Sequence, residues 1–344
     1  MNRDEIIQLR LFNQGLSDNY FNNPEEIVAH FGAMQAQDYS MSLWAIGLRM
    51  QNPDKTAIEK LINTGKIIRT HILRPTWHLV HQKDIRWMMQ LSAPNVKKAT
   101  QYIDKKQGLT DELFLKAWKI IEQEFSSNEF LTKEEIVSCL SNQQMVVSHL
   151  LATQIIMRAE VEMLLCNGNK KNVYALFDNR IPTANAISKQ EAIVKLAQLY
   201  FKSRGPATLK DFVWWSGLGM NDAKIGITEL DNQLRSFTYD TLKYYHFEVE
   251  NNIPKHPSFA LLPCYDEYTV GYSEGRNIVL PAGVDSAETG NGIFKPTILS
   301  ENELVGTWRK GKKNTVEIQS FLDDKSSVEK TIKEDIEKFC KFIC

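Results

Sequence analysis

One order of local signals recurs three times in this chain: helical segments, then a β-branched or aromatic hairpin. The clearest copy spans 188–250. SKQEAIVKLAQLYFKSRG is amphipathic and stops at Gly205-Pro206. Thr208 caps LKDFVWWSG, Asn221 caps DAKIGITEL, and LRSFTYDTLKYYHFEVE alternates like a two-stranded wing. Two short helices about a Gly-containing turn, followed by a hairpin, make the winged form of helix-turn-helix. A second copy occupies about 110–180. Thr110 caps DELFLKAWKIIEQEF, Thr132 and Glu135 form a capping box for KEEIVSCL, a long apolar helix covers 145–165, and KNVYALFD is strand-like. The first copy is less regular: Asn23-Pro24 opens EEIVAHFGAM, TAIEKLINTG follows, and KIIRTHILRPTWHLVH makes a strand pair. The pattern predicts a mainly α, α+β chain of three tandem winged-helix motifs.

After residue 255 the texture changes. FALLPCYDEYTVGY, RNIVLP, ELVGTWRKG and NTVEIQSFL read as short strands, AGVDSAETGNGIFKP as a Gly-rich polar loop, and KSSVEKTIKEDIEKFCKFI as a terminal amphipathic helix. A small barrel-like or sheet domain is expected there. The implied domains are 1–107, 108–186, 187–254 and 255–344. No run of about 18 apolar residues occurs, so no membrane helix is expected. The polar start MNRDEIIQLRLFNQG is not a secretory signal. Five scattered cysteines, an odd number, read as reduced thiols in a cytoplasm. Cys340 and Cys344 could share a helix face, but no CxxC or nearby His completes a zinc site, so no metal is expected.

The net charge of −1 is not the balance of a small basic nucleic-acid-binding domain. The charge is nevertheless segregated. Residues 66–106 carry nine Lys and Arg against only Asp84 and Asp104, while acidic residues gather in 110–135 and 317–337. A basic stretch on a winged-helix pattern points to a polyanion, because binding releases condensed counterions.

Two motif matches lack their context. Gly271-Tyr-Ser273-Glu-Gly275 fits GxSxG, but a nucleophile elbow needs a helix after it; RNIVLP reads as a strand, so a hairpin turn is expected. Gly306–Lys313 resembles a phosphate loop, yet its last position is Lys313 rather than Ser or Thr. Three other segments stand out. Gln35 and Gln37 flank Ala36. On a helix they would lie about 200° apart, so converging on one ligand needs an extended or broken turn. A carboxamide does not titrate and is a poor base, but it can orient a water or read a base edge. Asp38 beside them could be a base in a different mechanism. Strand alternation would put Arg74, Thr76 and His78 on one face, a phosphate clamp. The plain alternatives are a polar helix exterior for the glutamines and a structural hydrogen bond for His78. Adjacent Asp266 and Glu267 would point apart on a strand, so a structural hydrogen bond is expected of at least one. Trp214-Trp215 reads as core and interdomain packing.

Together, MQAQDYS, LRPTWHLV, RGPATLKDFVWWSGL and LLPCYDEYTVGY resemble the AlkZ-like (YcaQ-related) winged-helix DNA glycosylases, with matches from about residue 32 to 272. The resemblance implies three winged-helix motifs in a C shape plus a C-terminal β-barrel. It implies excision of N-alkylated purines, including bases in interstrand crosslinks, without a cofactor. The family motif is Gln-x-Gln, or Gln-x-Asp in one branch, and Gln35 and Gln37 fit the first form. They are therefore the expected catalytic residues. Arg69, Arg74, Thr76 and His78 are the expected DNA contacts, and family analogy adds a hairpin tip near Ser273–Asn277 with Arg276. A purine alkylated at N7 is cationic and already an activated leaving group. The enzyme then needs a positioned water and stabilisation of the sugar cation. No Lys nucleophile is required, so hydrolysis without strand cleavage is expected. The expected setting is a cytoplasmic, nucleoid-associated monomer acting on damaged double-stranded DNA. A non-catalytic winged-helix regulator or architectural protein is the competing class. It needs the helix beginning at Asn221 to be free to enter a major groove.

Overall fold

Caps and apolar spacing set most of the helices. The computed structural model describes residues 1–17, 21–145, 147–249, 258–280, 292–312, 315–322, 328, 330 and 332–343. An Asn2–Glu5 capping box starts α1 (Arg3–Asn13), and Asn23 caps α2 (Pro24–Phe31) with Pro24 in its first turn. Gly32, at φ 71°, ends α2 and turns the chain into β1 (Ala33–Gln35). Asp38 caps α3 (Tyr39–Gly47) and Asp54 caps α4 (Lys55–Asn63). β2 (Ile67–His71) and β3 (Trp77–His81) form a hairpin, and β1 adds to β3 to give the antiparallel order β1-β3-β2. The long α5 (Ile85–Lys106) follows.

The same order returns twice. The second unit is α6 (Asp111–Glu124), β4 (Leu131–Thr132), α7 (Lys133–Asn142), α8 (His149–Val161), β5 (Leu165–Asn167) and β6 (Val173–Leu176), followed by the short α9 (Phe177–Arg180). Thr110 and the Thr132–Glu135 box cap α6 and α7 as the sequence predicts. The third unit is α10 (Lys189–Arg204), β7 (Ala207–Thr208), α11 (Leu209–Ser216), α12 (Met220–Glu229), β8 (Leu234–Tyr239) and β9 (Leu242–Phe247). Its sheets and those of the second unit run β7-β9-β8 and β4-β6-β5, the strand order of the first. Each unit is thus a helix, a short strand, two helices and a hairpin. One cap differs from expectation: α12 begins at Met220, Gly219 occupies the N-cap, and no side chain caps it, so Asn221 lies inside the helix.

The C-terminal part holds β10 (Ala260–Leu262), α13 (Glu267–Val270), a 3-10 turn at Arg276–Val279, β11 (Thr297–Ser300), β12 (Glu303–Lys310), β13 (Val316–Ser320) and α14 (Lys333–Ile343). The four strands pair antiparallel in the order β10-β11-β12-β13. Among the described residues this is an open sheet, which corrects the expected barrel. EYTV and RNIV are helical turns, not strands. Periodicity cannot separate a four-residue buried turn from a short strand. Most of the glycine-rich loop, and Cys344, fall outside the described residues.

Three hydrophobic cores result. One joins Phe31, Met34, Trp44 and Leu79 to Leu261, Ile298, Trp308 and Phe339. A second joins Ala33, Ile68, Val80 and Met88 to Tyr200, Phe212 and Trp215. The third fills the second unit around Phe114, Ile121, Leu140 and Ile155. The alternation of β1 and β3 sends Met34 and Leu79 into the first core and Ala33 and Val80 into the second. The sheet carrying Gln35 is therefore covered on both faces.

Candidate active site

The Gln-x-Gln segment spans the end of a strand and the start of a helix. Gln35 pairs with His78 in the β1–β3 register, and the Ala36 amide donates to the Trp77 carbonyl at 2.7 Å, extending the ladder one residue. Asp38 then accepts from the Met41 amide at 3.0 Å as the cap of α3, which gives it a structural task. The backbone is extended through Ala36 and bends at Gln37 and Asp38, so the two side chains leave a broken strand end and not a regular helix.

The two glutamines have different surroundings. Gln35 is 8% exposed and held at two points. Its backbone N–H donates to Glu267 Oε1 at 2.7 Å, and its side-chain Oε1 accepts from Arg74 Nη2 at 2.9 Å. Glu267 Oε2 accepts from Arg204 Nε at 2.9 Å and Nη2 at 2.6 Å, and from Trp215 Nε1 at 3.2 Å. Arg204 also donates to the carbonyls of Phe31 and Ala33, so one buried cation ties α2, β1 and α13 together. Gln37 is exposed, and its Oε1 makes a long contact of 3.4 Å with the Trp77 amide. A fixed carboxamide and an open one flank Ala36.

The expected DNA contacts divide. Arg69 is buried; its Nε and Nη2 donate to the Ala36 carbonyl at 3.0 and 2.9 Å, and its guanidinium stacks 4.0 Å from the Trp77 ring. It braces the residue between the two glutamines. Arg74 is half-buried, pushed down to about 10 by burial, and lies 5.5 Å from the Trp214 ring. His78 is fully buried, and burial and then Arg74 hold it well below its ordinary pKa. Its Nδ1 faces the Thr76 carbonyl at 2.9 Å, so that nitrogen carries the proton and Nε2 is an acceptor. Among the described residues, Thr70 Oγ1, Arg74 Nε, Thr76 Oγ1 and His78 Nε2 are buried without a partner. The clamp differs from strand alternation: β3 begins at Trp77, and Arg74 and Thr76 belong to the preceding turn, where Leu73 has φ 63°. Arg276 lies on the 3-10 turn rather than a hairpin tip. It donates to the Thr269 carbonyl at 3.0 Å and to the Tyr272 carbonyl, and lies 5.5 Å from Trp214 and 4.7 Å from Phe294.

Asp266 and Glu267 both make the structural hydrogen bonds expected of at least one of them, but their partners were not foreseen. Glu267 and Arg204 anchor Gln35 from 232 and about 170 residues away in sequence, which no local pattern reports. Asp266 forms its own fully buried pair with Arg49, at 2.8 and 2.9 Å. Trp215 is core as expected, but Trp214 is 40% exposed, its indole N–H fixed on the Val270 carbonyl at 2.9 Å. Their spacing on α11 carries that signal, since neighbours on a helix lie about 100° apart. The GxSxG match is packing: Ser273 and Gly275 amides donate to Asp211 Oδ1 at 2.7 and 3.0 Å, and a Cβ on Gly275 would lie 2.4 Å from Asp211 Oδ2. The phosphate-loop match is the end of β12 as far as Lys310, and Lys313 lies outside the described residues. Two open pockets of about 530 and 550 Å³ lie on the β11–β13 sheet and between α5 and α6, and neither contains Gln35 or Gln37. The outer face of α12, including Asn221, Lys224 and Ile225, is exposed, so that criterion does not exclude a regulator.

A family model described as DNA glycosylase AlkZ-like matches residues 28–342. The chain belongs to the AlkZ-like DNA glycosylase family. A relative from Streptomyces sahachiroi, named as an interstrand DNA cross-link repair glycosylase, is 21% identical over 329 residues, covering 88% of this chain and 86% of that protein. The solved structure of the Streptomyces sahachiroi DNA glycosylase AlkZ superposes with a TM-score of 0.81 at 17% identity, covering 99% of this chain and 97% of that one. That likeness bears on the fold, a mixed α and β chain with several small sheets. No helix among the described residues is long and apolar enough to cross a membrane.

Proposed function

We propose that this AlkZ-like protein is a monofunctional glycosylase, acting as a monomer, that hydrolyses the N-glycosidic bond of cationic N-alkylated purines in duplex DNA. On this reading the three repeated units are winged-helix motifs arranged in a C shape, and Gln35 and Gln37 position the attacking water. The observation that carries it is the Gln35-Ala36-Gln37 segment at the end of β1, with the Gln35 carboxamide held by Arg74 and that of Gln37 exposed. Arg74 uses one lone pair of Gln35 Oε1, which leaves the second for a water, and the exposed Gln37 Oε1, met only by the long Trp77 amide contact, has a lone pair left as another acceptor. Neither group removes a proton before attack. The cationic base departs neutral with the bonding pair, the water held in line adds to the sugar carbon, and its surplus proton then passes to solvent. Arg74 and Arg276, beside exposed Trp214, are the rim residues suited to meet DNA, and Arg69, Thr76 and His78 support the segment from beneath.

The test is release of 7-methylguanine from alkylated duplex DNA, with the strand checked for breakage. Wild type should release the base and leave an intact abasic strand. Gln37→Ala, at an exposed position, should lose on the order of 100-fold in kcat, the scale for one positioned polar group at a reacting centre. Equal release by both proteins would overturn the assignment. Tight binding without release would favour the non-catalytic class. The name of the Streptomyces relative makes a crosslinked duplex the second substrate to assay.

A further inference from the structure

The turn between β5 and β6, in the second unit, lies beside Arg69 and Trp77, the residues that brace the Gln-x-Gln segment. Asn167, the last residue of β5, accepts from the Arg69 amide through Oδ1 at 2.7 Å, which ties that turn to β2. Beyond it lie Lys170 and Lys171, both exposed, with no ion-pair partner among the described residues. They line a shallow depression with Tyr39, Arg69 and Trp77. Its walls carry three basic residues and no carboxylate. Trp77 connects it to the site, since its amide faces Gln37 Oε1 and its ring stacks on Arg69, which holds the Ala36 carbonyl.

We propose that this depression is a DNA-backbone seat, in which Lys170 and Lys171 take phosphates of the strand that crosses Gln37. The inference rests on the glycosylase reading and adds a second-unit element to a site otherwise built from the first and third units and the C-terminal part. Two unpaired ammonium groups on an anchored turn, beside exposed Gln37, offer charge complementarity to a polyanion. Lysines that bind phosphate this way act through counterion release, so they set the salt dependence of binding and not its sequence preference.

The experiment measures binding of the full chain to a labelled duplex, undamaged and carrying one 7-methylguanine, across a salt series. Lys170→Ala/Lys171→Ala should weaken binding to both duplexes and flatten the slope of log K against log salt by about 1.8, at about 0.9 per lost phosphate contact. A control, Lys116→Ala/Lys119→Ala on α6, removes the same charge from exposed positions and should leave the slope near wild type. An unchanged slope in the first variant, or an equal change in the control, overturns the seat while leaving the glycosylase reading intact. Failure of wild type to bind either duplex overturns both.

Discussion

Glu267 meets three demands with one carboxylate. It accepts the Gln35 amide, balances the fully buried Arg204, and satisfies the Trp215 indole. Glu267→Gln can retain an acceptor for Gln35 but leaves Arg204 as an uncompensated buried cation. Breaking a buried pair from one side costs about 3–5 kcal/mol, so the urea midpoint should fall sharply, with loss of base release at temperatures where wild type is active. The neighbouring tryptophans give a sharper contrast. Trp215→Ala empties a fully buried position and should cost about 3–5 kcal/mol. Trp214→Ala removes a 40% exposed ring and should leave the urea midpoint close to wild type. It should nevertheless reduce excision, because Trp214 stands between Arg74 and Arg276 at the rim of the proposed site. Equal stability losses in the two variants would show that Trp214 is packing after all.

At the scale of elements, caps and titrating groups decide local stability. Thr208 and Asp211 form a capping box at the start of α11, and Asp211 also receives the Ser273 and Gly275 amides. Thr208→Ala should therefore cost about 1 kcal/mol, and Asp211→Ala more, measured by urea unfolding. On α2, burial pushes His30 down to about 4 from 6.5, with Arg204, Arg49 and Lys202 adding to the effect. Its folded value lies below its unfolded value, so its contribution is complete above pH 6.5 and is lost as pH falls toward 4. Asp335 on α14, pushed up to about 6 by burial, acts with the opposite sign in the same window. Unfolding of His30→Gln across that window should show a flatter acid limb than wild type. The sequence read this scale well where the signal is local: Thr110, Thr132 and Thr208 cap where expected, and each hairpin follows its helices. It failed at Asn221, which lies inside α12 instead of capping it, and where partners lie far away. β1, β4 and β7 are two or three residues long and exist because β3, β6 and β9 recruit them. Gln35 and Gln37 were legible as a pair, but the Glu267–Arg204 support was not, since tertiary contact alone brings α13 to β1.

Across the whole molecule, the first unit packs against the C-terminal part. Trp44 Nε1 donates to the Leu261 carbonyl at 2.7 Å, Trp308 Nε1 donates to that of Leu262 at 2.8 Å, and Phe339 packs 5.3 Å from Trp44 and 4.7 Å from Trp308. α14 thus completes a core whose other wall is the sheet carrying Gln35, while the helices α6, α7 and α8 of the second unit have a core of their own, and Cys166, Phe177 and Ile181 join the second core. This arrangement predicts how damage spreads. Phe339→Ala should cost about 3–5 kcal/mol, and hydrogen exchange should rise together in α14, β10, α3 and β1. Ile155→Ala in the third core should instead raise exchange in α6, α7 and α8 first and leave β1 protected. A Phe339→Ala effect confined to α14 would mean that the C-terminal part is an appendage. A joint opening would make it a structural wall of the Gln-x-Gln segment, coupling α14 to the proposed site on β1.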